Sequence, residues 1–254
     1  MNELQSLLAE HIEPYLQNLN GHRATALEKY ETYLDMLKNR GRDNNLTGFR
    51  DYEELVTHVV GDALAPLETA PEGFLEECPE ELLDVGTGAG LPGIVYAIYW
   101  PECDVFLMES NKKKLEFLQE VIDTLELKNC TILDGRAEIH ARELRWRERF
   151  DLVTCRALAP LPIALELCLP YLVLDGWMLT FKGPSGPKVS EEIDDARFAL
   201  DKLGAGEPEV RTYTPGPGAK PSSALWIPKT GLTPDRYPRR EGIPAKRPLR
   251  ASRG

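Results

Sequence analysis

The feature that ties this chain most tightly to one architecture is the run Leu82-Leu83-Asp84-Val85-Gly86-Thr87-Gly88-Ala89-Gly90-Leu91-Pro92-Gly93. An apolar, strand-like stretch runs into three alternating glycines, with a proline close to the next helix start. Glycines let the backbone turn tightly and approach a ligand closely, and the N–H groups that open the following helix face that ligand. Open α/β sheets hold ligands at the carboxyl ends of their strands, where a loop of this kind falls. A turn alone does not need the acidic-x-Gly-x-Gly-x-Gly pattern.

The chain on either side agrees with such a sheet. Strand-like runs lie at Glu81–Val85, Val105–Glu109, Thr131–Leu133, Leu152–Cys155 and Trp177–Phe181. Helical patterns fall between or after them, at 93–99, 111–127, 138–148, 161–172 and 189–203. Alternating strand and helix predicts a parallel sheet covered on both faces. Two further runs, Val210–Thr214 and Ala224–Ile227, are separated only by Pro/Gly/Ser-rich sequence, which predicts an antiparallel hairpin at one sheet edge. Upstream, amphipathic spacing predicts helices over 3–19, over 23–39 with Gly41 as the stop, and over 51–67. A polar connector, 42–48, precedes the third helix, and a Pro/Glu/Gly linker over 66–80 follows it. The expected division is a helical segment 1–70, an α/β domain 81–229 and a basic, Pro-rich tail 230–254.

Composition narrows the function classes. No run approaches 18 apolar residues, so no membrane-spanning helix is expected. The N-terminus lacks the basic start and apolar core of a signal peptide. Five cysteines without a C-x-x-C pair, and four scattered histidines, point away from a disulfide framework or a metal site. A reducing, cytoplasmic setting is expected, and a monomer. The net charge of −11 hides an asymmetry: residues 211–254 hold ten Lys or Arg against two acids, on a body that carries −19. A basic tail on an acidic body suits contact with a polyanion, because local field steers association. A solvated, extended tail with eight of the 20 prolines fits the same composition.

Two ligand classes compete for the glycine loop. Gly88-x-Gly90-x-x-Gly93 satisfies the dinucleotide fingerprint, with Glu109 near the ribose-binding distance. Gly88, however, lies three residues beyond the strand end, where that fingerprint starts its glycines directly after the strand. Reading from Asp84 uses Gly86, Gly88 and Gly90 together, which is the first motif of Rossmann-like methyltransferases. Glu109, closing the second strand, then offers two acceptor oxygens to the ribose diol of S-adenosylmethionine. The methyltransferase reading is favoured over a nicotinamide enzyme.

Beyond this loop, the sequence resembles the RsmG (GidB) family, the ribosomal RNA small-subunit methyltransferases G. The likeness is carried by Asp84 to Gly93 with Glu109-Ser110-Asn111-Lys112-Lys113-Lys114, by Gly135-Arg136-Ala137-Glu138, by Arg156-Ala157-Leu158-Ala159-Pro160 and by the tail from Tyr237 to Leu249. Asn45-Leu46-Thr47 and His58 with Asp62 and Leu64 match as well. The resemblance implies a class I Rossmann-like fold, a seven-stranded, mostly parallel sheet with an N-terminal helical extension. It implies methyl transfer from S-adenosylmethionine to N7 of a guanine in 16S ribosomal RNA, free or in the small subunit. By match, Gly86 and Leu91 line the cofactor, Ala137 and Glu138 lie against its adenine, and Arg156 is a further contact. The sequence departs at Thr87, Leu91 and Ala63, and its stretch between Glu138 and Arg156 is long for the family.

The chemistry is compatible with the residues. Guanine N7 carries a free lone pair, so the transfer needs no general base, only alignment and exclusion of water. The chain has no Asn/Asp-Pro-Pro-aromatic motif of amino-directed enzymes and no Pro-Cys of covalent ones; Cys155 reads as a small packed residue. Arg156, ending the fourth strand, can grip the methionine carboxylate, a phosphate or guanine O6. Candidate RNA contacts are Arg239, Arg240, Lys246 and Arg247 in the tail and Lys182 at the end of the fifth strand. Arg142, Arg145, Trp146, Arg147 and Arg149 form a second basic cluster with an aromatic among the arginines, but Glu143 and Glu148 dilute it and a solvated helix face is the favoured reading. A small-molecule methyltransferase and a non-catalytic binder of S-adenosylmethionine or RNA remain as alternatives.

Overall fold

A computed structural model describes residues 2–251 except 18, 20, 45, 73, 75–77 and 185–186, with backbone alone at 41–44, 184 and 187. Asn45 of the connector and four residues of the linker therefore lie outside the described residues.

The N-terminal part is helical but more interrupted than its apolar stripe predicts. Helix α1, Glu3–His11, opens on Asn2, whose side chain accepts the Gln5 N–H while the Gln5 side chain returns the bond. Pro14 then diverts the chain into a 3-10 turn, Glu13–Leu16. Helix α2, Arg23–Asn44, runs through Gly41 instead of stopping there; a helical glycine costs only about 1 kcal/mol. The third run begins as α3, Tyr52–Leu55, on the Asp51 cap, widens into a π turn over Val56–Gly61, and ends as α4, Asp62–Leu64, with a 3-10 turn over Ala65–Thr69.

The sheet has seven strands: β1 Glu81–Val85, β2 Asp104–Glu109, β3 Cys130–Asp134, β4 Phe150–Arg156, β5 Leu172–Pro184, β6 Glu209–Tyr213 and β7 Ser222–Pro228. Their order is β3-β2-β1-β4-β5-β7-β6. Strand β7 runs opposite to the other six, and it sits between β5 and β6, so the expected hairpin returns inward while β6 takes the edge. Helices α5 Gly93–Tyr99, α6 Lys112–Leu125, α7 Ala137–His140, α8 Leu161–Cys168 and α9 Pro187–Leu203 complete the layers. The helix expected over 138–148 is only one turn long; residues 141–149 turn instead, with Glu148 in the left-handed region at φ 50.

Two apolar cores lie on opposite faces. One joins α1, α2, the π turn, α5 and α6 to the sheet, with Tyr30, Tyr33, Leu37 and Tyr96 fully buried. The other holds α8 and α9 with Phe150 and Tyr171, and extends into the tail through Tyr237 and Leu249. The tail is thus packed on the domain and carries the short helix α10, Ile243–Lys246.

Candidate active site

The carboxyl ends of β1, β2 and β4 meet at the glycine loop. Gly86, Gly88 and Gly90 all take positive φ, at 71, 64 and 100. Gly93 answers a packing need: a Cβ there would lie 2.3 Å from Leu107 and 3.0 Å from the Asp84 carboxylate. Asp84 is fully buried beneath the loop. Its Oδ2 accepts the Gly93 N–H at 2.9 Å and its Oδ1 the Thr154 hydroxyl at 2.8 Å. Parallel pairing sets Asp84 beside Thr154, which makes that bond possible. Burial pushes the Asp84 carboxyl up to about 6, against the hydrogen bonds it accepts. From the other side, the Tyr33 hydroxyl of α2 donates to the Ala89 carbonyl at 2.8 Å. The loop is therefore braced by an acid, a threonine and a tyrosine; the sequence pointed only to the acid.

Above the loop lies a cavity of about 490 Å³. Glu109 enters it from the end of β2. Its Oε1 accepts the N–H groups of Ser110 and Asn111 at 2.8 and 2.9 Å, and its Oε2 accepts that of Gly88 at 3.1 Å. Three backbone donors hold the carboxylate in place and leave it acceptor capacity for a diol. Lys114, on the first turn of α6, joins the wall 3.9 Å from Glu109. Across the cavity Glu138, only 4% exposed, accepts the Gly242 N–H at 3.0 Å. Met108, Ala137, Leu158, Ile163 and Leu167 supply apolar walls, and Pro244 and Ala245 of the tail close them.

Of the residues read from the sequence as cofactor contacts, Gly86, Glu109, Ala137 and Glu138 stand on this wall. Asp84 sits behind it, and Gly88, Gly90 and Leu91 shape the loop without lining the cavity. Arg156 lines a neighbouring cavity of about 410 Å³ with His58, Asp62, Lys182 and Ser222. The two cavities share Ala157, Leu158 and Ala159. Ala157 holds φ 51, a conformation that few residues other than glycine adopt without strain. The Arg156 guanidinium donates to the His58 carbonyl at 2.8 Å and pairs with Asp62 at 2.9 Å. Asp62 in turn accepts the Tyr213 hydroxyl at 2.6 Å. Lys182 pairs with Glu192 at 2.9 Å.

The basic clusters divide in a way the sequence did not foretell. Arg239 grips the fully buried Glu166 with Nε and a terminal nitrogen at 2.8 and 2.6 Å, and its own backbone N–H adds a third bond. Arg142 donates to the Pro238 carbonyl at 2.7 Å and Arg147 to that of Tyr237 at 2.9 Å. The long stretch after Glu138 is thus a clamp for the tail, and Trp146 is buried beside Phe106 and Phe150 instead of displayed for stacking. Arg240, Lys246 and Arg247 remain exposed. Among the described residues no helix is long and apolar enough to cross a membrane.

The sequence model of the rRNA small subunit methyltransferase G family, GidB, matches residues 26–213. The chain is 40% identical over 232 residues to the ribosomal RNA small subunit methyltransferase G of Lachnoclostridium phytofermentans, across 91% of this chain and 92% of that one. It is also 40% identical over 223 residues to that of Thermotoga neapolitana, across 88% and 91%. Among solved structures, cofactor-bound Rv0187 from MTB superposes with a TM-score of 0.50 at 15% identity over 81% of this chain and 90% of that one, a likeness of fold. With the match spanning most of the sequence, the glycine loop and both neighbouring carboxylates included, the chain belongs to the rRNA small subunit methyltransferase G family.

Proposed function

We propose that this protein transfers a methyl group from S-adenosylmethionine to N7 of a guanine in 16S ribosomal RNA. The observation that carries the reading is the pair of cavities sharing the Ala157–Ala159 wall, one lined by carboxylate acceptors, the other by Arg156 and Lys182. The first suits the cofactor: Glu109 faces a diol, Glu138 an exocyclic amine, and the apolar walls the faces of a purine. When bound, S-adenosylmethionine supplies an electrophilic methyl group on a sulfonium.

What remains for the chain is positioning. Arg156 is held by Asp62 and the His58 carbonyl on the substrate side, where a guanidinium suits guanine O6 or a phosphate better than the cofactor carboxylate. Lys182 lies on the same wall. Because N7 attacks through a lone pair, neither residue has to remove a proton; holding the base in line and excluding water are sufficient. We assign Arg240, Lys246 and Arg247 to phosphate contact, and Arg239 to holding the tail.

The test uses small subunits and 16S RNA from a strain lacking its own enzyme of this kind, incubated with the protein and methyl-labelled S-adenosylmethionine. N7-methylguanine is then mapped by reduction and aniline cleavage. Label at a single guanine is expected. Absence of label in both substrates, with cofactor binding demonstrated by calorimetry, would overturn the reading in favour of a small-molecule enzyme or a non-catalytic binder.

A further inference from the structure

We propose that the tail segment from Arg239 to Arg247 is a strap through which bound RNA sets the protein's affinity for its cofactor; this rests on the methyltransferase reading above. The inward side of the segment belongs to the cofactor cavity. The Gly242 N–H donates to Glu138, and Pro244 and Ala245 stand on the wall. The outward side carries Arg240, Lys246 and Arg247, exposed and without an ion-pair partner among the described residues. The acid within the segment, Glu241, turns to Arg136 at 3.6 Å. What faces solvent is therefore mostly cationic.

The strap is fixed at both ends and lightly held between them. Arg239 is locked to the buried Glu166, and Leu249 is 7% exposed in the core. Between these anchors, among the described residues, the polar contacts to the domain are the Gly242–Glu138 bond and the Glu241–Arg136 pair, beside the packing of Pro244. Lys246 and Arg247 lie one to three residues from the two that close the cavity. Phosphates holding them restrain the same short helix whose Pro244 and Ala245 close the cofactor cavity. A second ligand then binds a segment already ordered by the first, and such coupling is reciprocal.

Two measurements on the full chain test this. Hydrogen exchange followed by mass spectrometry, with saturating S-adenosylhomocysteine, should slow the peptide holding Gly242 to Lys246 by about tenfold while peptides in α9 stay unchanged. Equal exchange with and without the ligand would overturn the strap's part in the cavity, whatever RNA does. Calorimetric affinity for S-adenosylhomocysteine should tighten at least about fivefold when a 16S RNA fragment is bound. The variant R240Q/K246Q/R247Q should keep the affinity of the free protein and lose the tightening. Tightening undiminished in that variant, or RNA bound to the parent with no tightening, overturns the coupling alone. No binding of the fragment by the parent overturns the coupling alone, and the methyltransferase reading is then decided by the labelling of small subunits.

Discussion

Glu109 shows how one residue can be legible in a sequence and yet be completed by its surroundings. Its place at the end of β2 is a matter of spacing, but three backbone N–H groups fix its two oxygens before any ligand arrives. Glu109→Gln keeps the size and gives up one acceptor and the charge. Cofactor affinity measured by calorimetry should fall by about tenfold or more, the scale of one hydrogen bond to a charged group; an unchanged constant would remove Glu109 from the site. Asp84 has a different signature. Its carboxyl titrates near 6 in the folded chain against an ordinary 3.8, so the folded state holds the extra proton between those values. The stability it contributes is present below about pH 4 and lost as pH rises through 6. Asp84→Asn removes that group, with its amide oxygen free to face Gly93 and its NH2 the Thr154 hydroxyl. Urea unfolding at steps from pH 4 to 7 should show the parent losing stability relative to the variant as pH rises. Curves that stay parallel would contradict the assignment.

At the scale of elements, the π turn joins the N-terminal helices to the substrate side. Its extra width brings the His58 carbonyl to Arg156, and Asp62 follows directly at the start of α4. Gly61 sits where the turn meets the β6–β7 connection: a Cβ there would lie 1.9 Å from the Pro215 carbonyl oxygen. Gly61→Ala should cost about 1–3 kcal/mol, as overpacking does, seen as a lower urea midpoint. Because the displaced backbone leads into Asp62 and not into the glycine loop, turnover should fall further than cofactor affinity does. A parent-like midpoint would mean that the close approach is not obligatory.

For the whole molecule, the charge asymmetry is arranged as well as large. A body with a charge of −19 discourages polyanions over most of the surface, and the tail folds back so that exposed Lys246 and Arg247 directly follow Pro244 and Ala245 on the wall of the cofactor cavity, with Arg240 exposed on the same segment. Fluorescence anisotropy of RNA binding between about 50 and 200 mM salt should give a log–log slope shallower by roughly 2–3 in R240Q/K246Q/R247Q, near 0.7–0.9 for each lost phosphate contact. An identical slope would place the RNA elsewhere. The same folding-back explains why the tail's prolines and basic residues read as a solvated extension: its composition is that of a loose segment, while its anchors are single residues spread along the rest of the chain.

The sequence by itself determined the parts of this protein whose physics is local. Short apolar runs between helical patterns mark the seven strands, and the glycines, Asp84, Glu109 and the segment 135–138 lie at strand ends, where chain direction alone brings them to one edge of the sheet. The tertiary structure decided what depends on partners far apart in the chain. Arg239 finds Glu166 across 73 residues, Gly242 finds Glu138 across 104, and Arg142 finds Pro238 across 96. Arg156 reaches the His58 carbonyl across 98, and with it a second cavity in place of the first. A guanidinium bonds whichever acceptor the fold delivers, so side-chain type could not say which arginines hold the protein together and which are left for RNA. That division follows from burial: Glu166 is a fully buried carboxylate that requires a cation, and only the packed chain shows that Arg239 is the one it takes.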